Sequence, residues 1–174
     1  RDSYRGPSVG IRVAKSTDRG ANFQPSVQVS AANFEAEIAV STTGIIYVVW
    51  SDGSNAMISR SLDDGASFST PTVAGLGSTS IHMATDGSHV YLIDRPGNTI
   101  LVSVDNGLSF IPTALGASQV FSDIHVDQKT HEVIAVLDNP AVKYFTSSDF
   151  GTTFSSQIDP VPGGDIFFSV GTVS

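Results

Sequence analysis

The chain has 174 residues, 40% of them apolar and 15% charged, and 17 Asp and Glu against 9 Lys and Arg give it a net charge of −8. That is long and apolar enough for a packed core, and it excludes a disordered or collagen-like chain. An acidic chain repels a phosphate backbone, the absence of cysteine excludes disulfides and thiolate metal sites, and no run of 18 apolar residues is present, so neither nucleic acid nor membrane insertion is expected.

The opening Arg1-Asp2-Ser3-Tyr4-Arg5-Gly6-Pro7 has neither an initiator Met nor an apolar leader, and reads as the tail of a strand whose start is missing. A short strand follows at Ile11-Arg12-Val13-Ala14, then a polar octet from Ser16 to Phe23, then an outer strand introduced by Pro25. Ile38 opens the next strand, and Ile45 to Trp50 is β-branched and aromatic enough for burial on both faces. The same order recurs twice. Ile81-His82-Met83-Ala84, Val90-Tyr91-Leu92-Ile93 and Ile100-Leu101-Val102 precede an octet ending at Phe110 and a strand at Pro112. Ile124-His125-Val126 and Val133 to Leu137 precede a last octet ending at Phe154, and Asp165-Ile166-Phe167-Phe168 begins one more strand. No 3.6-residue apolar stripe of useful length occurs, so helix is not expected.

The octets carry the organisation. Ser16-Thr17-Asp18-Arg19-Gly20-Ala21-Asn22-Phe23, Ser61-Leu62-Asp63-Asp64-Gly65-Ala66-Ser67-Phe68, Ser103-Val104-Asp105-Asn106-Gly107-Leu108-Ser109-Phe110 and Ser147-Ser148-Asp149-Phe150-Gly151-Thr152-Thr153-Phe154 all read S-x-D-x-G-x-x-F. Their starts lie 45, 42 and 44 residues apart, and Ile38, Ile81, Ile124 and Ile166 recur upstream at 43, 43 and 42. The pattern suits a tight turn in which Asp and Ser side chains bond local N–H groups, Gly takes a positive φ, and Phe anchors the hairpin from below. Four short strands in a period of about 43 residues is the size of one blade of a β-propeller, so the predicted fold is all-β, with four-stranded antiparallel blades.

At this spacing the octets resemble the Asp-box, or bacterial neuraminidase repeat, of sialidases, sortilin-type receptors and secreted bacterial propellers. The resemblance spans the chain and divides it into a partial blade at 1–31, blades at 32–76, 77–118 and 119–162, and an inner strand at 163–174. Two arrangements of the ends are open: the last strand completes the first blade and closes a four-bladed ring, or the chain is a segment of a larger propeller that pairs with further sequence or another copy. The resemblance further implies a secreted, periplasmic or cell-surface bacterial protein. It also implies a structural role at the blade periphery for the octet residues, namely Ser16, Asp18, Gly20 and Phe23; Ser61, Asp63, Gly65 and Phe68; Ser103, Asp105, Gly107 and Phe110; and Ser147, Asp149, Gly151 and Phe154.

A sialidase needs three convergent arginines, a tyrosine nucleophile with a glutamate partner, and an aspartate acid/base. Here Arg1 and Arg5 lie at the chain start, Arg12, Arg19 and Arg60 lie beside or within octets, and Arg95 alone sits in a turn away from them. Glu37, Asp123 and Asp165 each precede a landmark isoleucine, with Ser80 as their counterpart, so they fall on innermost strands where they could ring a central channel. His82 and His125 follow the landmarks Ile81 and Ile124 and are expected side by side, as channel-facing structural residues or as two ligands of an incomplete metal site, while His89 and His131 read as turn residues. Trp50 and Tyr47 read as core, leaving Tyr4, Tyr144 and Phe150 as aromatics free to stack on sugar.

The candidate ligand-facing set is therefore Glu37, His82, Arg95, Asp123, His125 and Asp165, with no cofactor expected. Three functions follow from it: a non-catalytic recognition or scaffold module for glycan or protein; part of a sialidase-like glycoside hydrolase whose arginines lie outside this chain; and a structural assembly that self-associates through terminal or edge strands. For the turns themselves, Asp105→Ala is expected to cost about 0.5 to 2 kcal/mol, as loss of comparable side-chain caps does, and to lower the melting temperature by several degrees in a thermal scan.

Overall fold

The computed structural model describes residues 10–31, 36–76, 81–94, 99–115, 121–137, 143–155 and 158. These form thirteen strands: β1 (Ile11–Val13), β2 (Val27–Ser30), β3 (Ala36–Val40), β4 (Ile46–Ser51), β5 (Asn55–Ser61), β6 (Thr72–Leu76), β7 (Met83–Asp86), β8 (His89–Asp94), β9 (Thr99–Ser103), β10 (Ile111–Ala114), β11 (Phe121–Val126), β12 (Val133–Leu137) and β13 (Lys143–Ser147). All pairing is antiparallel and no helix occurs among the described residues. The fold is all-β.

The strands make four open sheets in chain order: β1-β2, β3-β4-β5-β6, β7-β8-β9-β10 and β11-β12-β13. An isolated bridge joins Tyr144 of β13 to Ile158. The outer strands β6 and β10 are sheet edges, and Pro112 sits within β10, where a missing N–H costs no ladder bond on the solvent side.

Period-2 alternation gives the second and third sheets two apolar faces, and each is buried on a different neighbour. Tyr47 and Val49 of β4 pack with Met83, Val90 and Leu92 of the following sheet. One sheet on, Tyr91 and Ile93 of β8 pack with Ile124, Val133, Ala135 and Leu137. On the opposite face of β4, Val48 and Trp50 meet Ile11 and Val29 of the first sheet. Strands β4 and β8 are therefore buried on both sides, as their continuous apolar runs require. Strand β12 alternates buried and half-buried, because Ile134 and Val136 face away from the third sheet and no described sheet follows.

The octet phenylalanines follow the same order. Phe68, Phe110 and Phe154 each pack into the interface with the sheet before their own. Phe23 departs from the predicted anchoring and is 66% exposed, because no described sheet precedes β1-β2.

Octet glycines have a second reason for lacking a side chain. A Cβ on Gly107 would lie 3.1 Å from Ile58 Cδ1, with Tyr47 Cε1 in ordinary contact at 3.5 Å, and one on Gly151 would lie 3.0 Å from Tyr91 Cε1 and 3.0 Å from Val102 Cγ2. Both glycines also have positive φ, at 74° and 77°. By contrast Gly20, with φ of 87°, has nothing near its Cβ position. Gly151→Ala is expected to cost about 2 to 4 kcal/mol, overpacking added to left-handed strain, and Gly20→Ala only about 1 kcal/mol, the strain alone. Urea unfolding of the two variants checks this, with equal losses counting against the contact.

Candidate functional site

Each first strand lies beside the first strand of the next sheet, β3 beside β7 and β7 beside β11. Ladder register then fixes which residues share a level. Glu37 is opposite Val49, the His82 carbonyl accepts the Ile93 N–H at 3.0 Å, and Asp123 is opposite Val136. Val49, Ile93 and Val136 are equivalent, each three residues along its strand from the position paired with the octet serine. Glu37, His82 and Asp123 therefore occupy one register position on three successive first strands.

This corrects the sequence-based alignment. The counterpart of Glu37 and Asp123 is His82, two residues beyond Ser80, which lies outside the described residues. His82 and His125 do not share a level: His125 is opposite Ile134, in line with Ala84 opposite Tyr91 and Ala39 opposite Tyr47. The hairpin from β7 to β8 is shorter, so the period of 43 in the isoleucines hides a two-residue offset. Arg95 and Asp165 lie outside the described residues.

The row is coupled. His82 Nδ1 is 3.9 Å from Asp123 Oδ1, within ion-pair reach when the ring is protonated. Glu37 is half-buried and accepts a hydrogen bond from the Met83 backbone. Burial pushes the Glu37 carboxyl up to about 7, the Met83 bond opposes this, and the charge of Asp123 adds to it. A carboxyl that can give or take a proton near neutrality thus stands beside an imidazole and an exposed carboxylate. Among the described residues no three His, Cys, Asp or Glu converge on a metal-sized point.

The other polar candidates are engaged elsewhere. Arg12 donates through Nε to Ser26 Oγ at 2.9 Å, and Arg60 donates through Nη1 to the Asn106 carbonyl at 2.7 Å. Tyr47 and Trp50 are core, as expected from their strand. Tyr4 lies outside the described residues, and Tyr144 is half-buried in β13.

The octets are closed turns. Each serine hydroxyl donates to its aspartate Oδ1 at 2.7 to 2.8 Å and accepts the glycine N–H at 2.8 Å. The same Oδ1 accepts the N–H of the seventh residue, Asn22, Ser67, Ser109 or Thr153, whose side chain donates to Oδ2. Position seven is a functional member of the motif that the written pattern left blank, although Asn, Ser, Ser and Thr share a side-chain donor. Side-chain and backbone bonds from that residue, with the serine bond, hold all four carboxyls down at about 2. The residue before glycine also has positive φ, at Arg19, Asp64, Asn106 and Phe150, which sequence reading assigned to glycine alone.

A second cluster was not legible from spacing. The buried Asp86, the last residue of β7, meets His131 Nδ1 at 2.5 Å across sheets. Phe150 stacks on His89 at 4.6 Å and tilts against His131 at 5.5 Å, so it is held rather than free for sugar. His131 does lie in a turn, with φ of 61°, but His89 begins β8.

No protein-family model matches the chain, and no curated protein does. Among solved structures, it is similar to a protein of unknown function from Dyadobacter fermentans DSM 18053, at TM-score 0.57 and 18% identity, over 84% of this chain and 57% of that one. That likeness shows the fold alone, and the chain spans a little over half the length of its neighbour.

Stability should register the row. Glu37 loses its proton at about 4.5 when unfolded and about 7 when folded, so its contribution is complete below pH 4.5 and is lost as pH rises through 7. Thermal scans from pH 4.5 to 8 are expected to show a decline in melting temperature that Glu37→Gln flattens. A variant that keeps the wild-type slope would place the raised carboxyl elsewhere.

Proposed function

We propose that this chain is part of an Asp-box β-propeller, acting outside the cell or at its surface as a non-catalytic recognition or scaffold module that meets its glycan or protein ligand along the first strands. One observation carries the reading: Glu37, His82 and Asp123 stand at one level on three neighbouring strands, while the residues opposite them are apolar, Val49 and Ile93 buried and Val136 half-buried. Two further features support it. All four octets are closed by the same bonds, and successive sheets stack face to face with their first strands adjacent, as blades around an axis would.

The chemistry of the row suits hydroxyl-rich or cationic partners. Carboxylates accept from sugar hydroxyls or ammonium groups, and an imidazole between them can donate or accept. Phosphorylated and strongly anionic ligands are disfavoured by the chain's net charge of −8.

The raised Glu37 supports a second reading, a sialidase-like or other glycoside hydrolase. A carboxyl near 7 with a second carboxyl group in the same row is the pairing that acid/base glycosidic cleavage uses. The arginines for an acidic sugar would then come from outside the described residues, since Arg12 and Arg60 are bonded to Ser26 and Asn106 and Arg19 lies in the octet turn of the first sheet, away from the row.

A glycan array, followed by titration of any hit, tests the recognition reading. The Glu37→Gln, Asp123→Asn double variant is expected to weaken binding at least about tenfold, roughly 1.4 kcal/mol, without loss of folding. Unchanged affinity would move the ligand off the first strands, and release of an aryl leaving group that Glu37→Gln abolishes would favour the hydrolase.

A further inference from the structure

The first and second sheets meet at the octet end less tightly than the sheets that follow. A Cβ on Gly107 would lie 3.1 Å from Ile58 Cδ1 and one on Gly151 would lie 3.0 Å from Val102 Cγ2, both atoms of the sheet before. At Gly65, the octet glycine of the second sheet, the one neighbour within 4 Å among the described residues is Ile46 Cδ1 of its own sheet. Position relative to the octet serine accounts for the difference. The counterpart of Ile58 is Val13, which has no Cδ1, and the counterpart of Val102 is Lys15, whose ammonium pairs with the Asp64 carboxylate. Between them lies a cavity of about 320 Å³, walled by Val13, Pro25, Val27 and Ile46, with Lys15 and Asp64 also in its lining. We propose that this cavity binds a free α-amino acid with an aliphatic side chain, its carboxylate on Lys15, its ammonium on Asp64 and its side chain against Val13, Val27 and Ile46.

Size and wall chemistry select an alkyl group. The volume lies at the lower end of small-molecule sites, which run from about 300 to about 1,000 Å³, and the apolar walls are aliphatic, with no aromatic platform for a planar or sugar ring. The charges select the other half of the ligand. An ammonium offers three donors to a carboxylate, and a carboxylate accepts from an ammonium, so a molecule carrying both charges on one carbon satisfies Lys15 and Asp64 together. A ligand with a single charge would separate the pair and leave one member without a partner.

Asp64 is suited to this role and its neighbour is not. Asp63 is committed to its own turn, with Oδ1 accepting the Ser61 hydroxyl at 2.7 Å and the Ser67 N–H at 2.9 Å, and Oδ2 accepting the Ser67 hydroxyl at 2.5 Å. Among the described residues Asp64 pairs with Lys15 alone. Both members stand on closed octets, since the Lys15 carbonyl accepts the Gln24 N–H at 2.8 Å and Asp64 precedes Gly65, whose N–H bonds Ser61 Oγ at 2.8 Å, so the charges are presented on rigid turns. The next interface makes the same contact without the acid: Arg60, the counterpart of Lys15, donates to the backbone carbonyl of Asn106, the counterpart of Asp64. A cation facing an acid thus occurs at the interface that has the cavity. The site is separate from the Glu37 row, because Ile46 is opposite Ser61 at the octet end of β4 while Glu37 is opposite Val49, so the inference does not rest on the ligand of that row.

The test is a methyl NMR titration of the full 174-residue chain with L-leucine and L-valine, reading the methyl groups of Val13, Val27 and Ile46. These are expected to shift along a saturating curve with a Kd of about 1 mM or tighter. Isocaproate, which is leucine without its ammonium, and isopentylamine, which is leucine without its carboxylate, are expected to bind at least about tenfold more weakly, and Asp64→Asn and Lys15→Gln each to weaken L-leucine by about tenfold. Asparagine tolerates the left-handed φ of 58° at position 64, so the turn is kept, and unchanged methyl resonances elsewhere report that the fold is intact. Methyl groups that do not move with either amino acid overturn the proposal. Equal affinity for the two singly charged analogues, or wild-type affinity in both variants, overturns it as well.

Discussion

Everything in this fold depends on a turn that must stay flat enough to carry its neighbour. The octet glycines of the third and fourth sheets, Gly107 and Gly151, are approached from the preceding sheet, where the rings of Tyr47 and Tyr91 lie against them. These glycines are thus constrained twice, by a left-handed φ that other residues enter at a cost and by side chains that a Cβ would press, Ile58 at Gly107 and Tyr91 and Val102 at Gly151. Turn chemistry and sheet stacking meet at this atom, and the spacing of the sheets is set there.

The aspartate and serine of the octet make that arrangement affordable. Two successive residues with positive φ leave backbone N–H groups pointing inward with no ladder partner. One carboxylate and one hydroxyl collect them, and the side chain at position seven supplies the last bond. Because the turns sit at the surface, the ionised carboxylate keeps its hydration while it organises the loop. This is how an acidic chain without cysteine or metal centre among its described residues holds its hairpins in register.

The periodicity of the octets and the apolar runs made the sheets legible from sequence: turns at fixed intervals bracket segments too short for helices, and strands β4 and β8 are apolar enough to reveal two-sided burial. The burial of Tyr47 and Trp50 followed from that. Register did not. The landmark isoleucines keep an even spacing while one hairpin is shorter, so Ile81 falls two residues out of line with Ile38 and Ile124, and His82 moves into the level of Glu37 and Asp123. A spacing counts residues along the chain, whereas a level is set by ladder bonds, and loops absorb the difference. The Asp86–His131 contact was hidden for a related reason, since it joins the end of β7 to a turn of the next sheet and no local pattern connects them.

The same distinction locates where this scaffold can vary. The second strands β4 and β8 are buried on both faces, and equivalent positions of the second strands carry like residues: Tyr47 and Tyr91, or Val49, Ile93 and Val136. Directly across the ladder from that last apolar trio stand Glu37, His82 and Asp123, three different polar side chains at one level. A sheet edge can accept such changes because only one flank of the strand is paired, and a charged edge also discourages pairing with other strands. Within a repeat, positions that repeat answer to packing. A position that keeps its level but changes its chemistry from sheet to sheet is free of that demand, and here such positions are the ones drawn together by the stacking of the sheets. The rigid, repeated strands thus fix the geometry of a row whose chemistry they leave open.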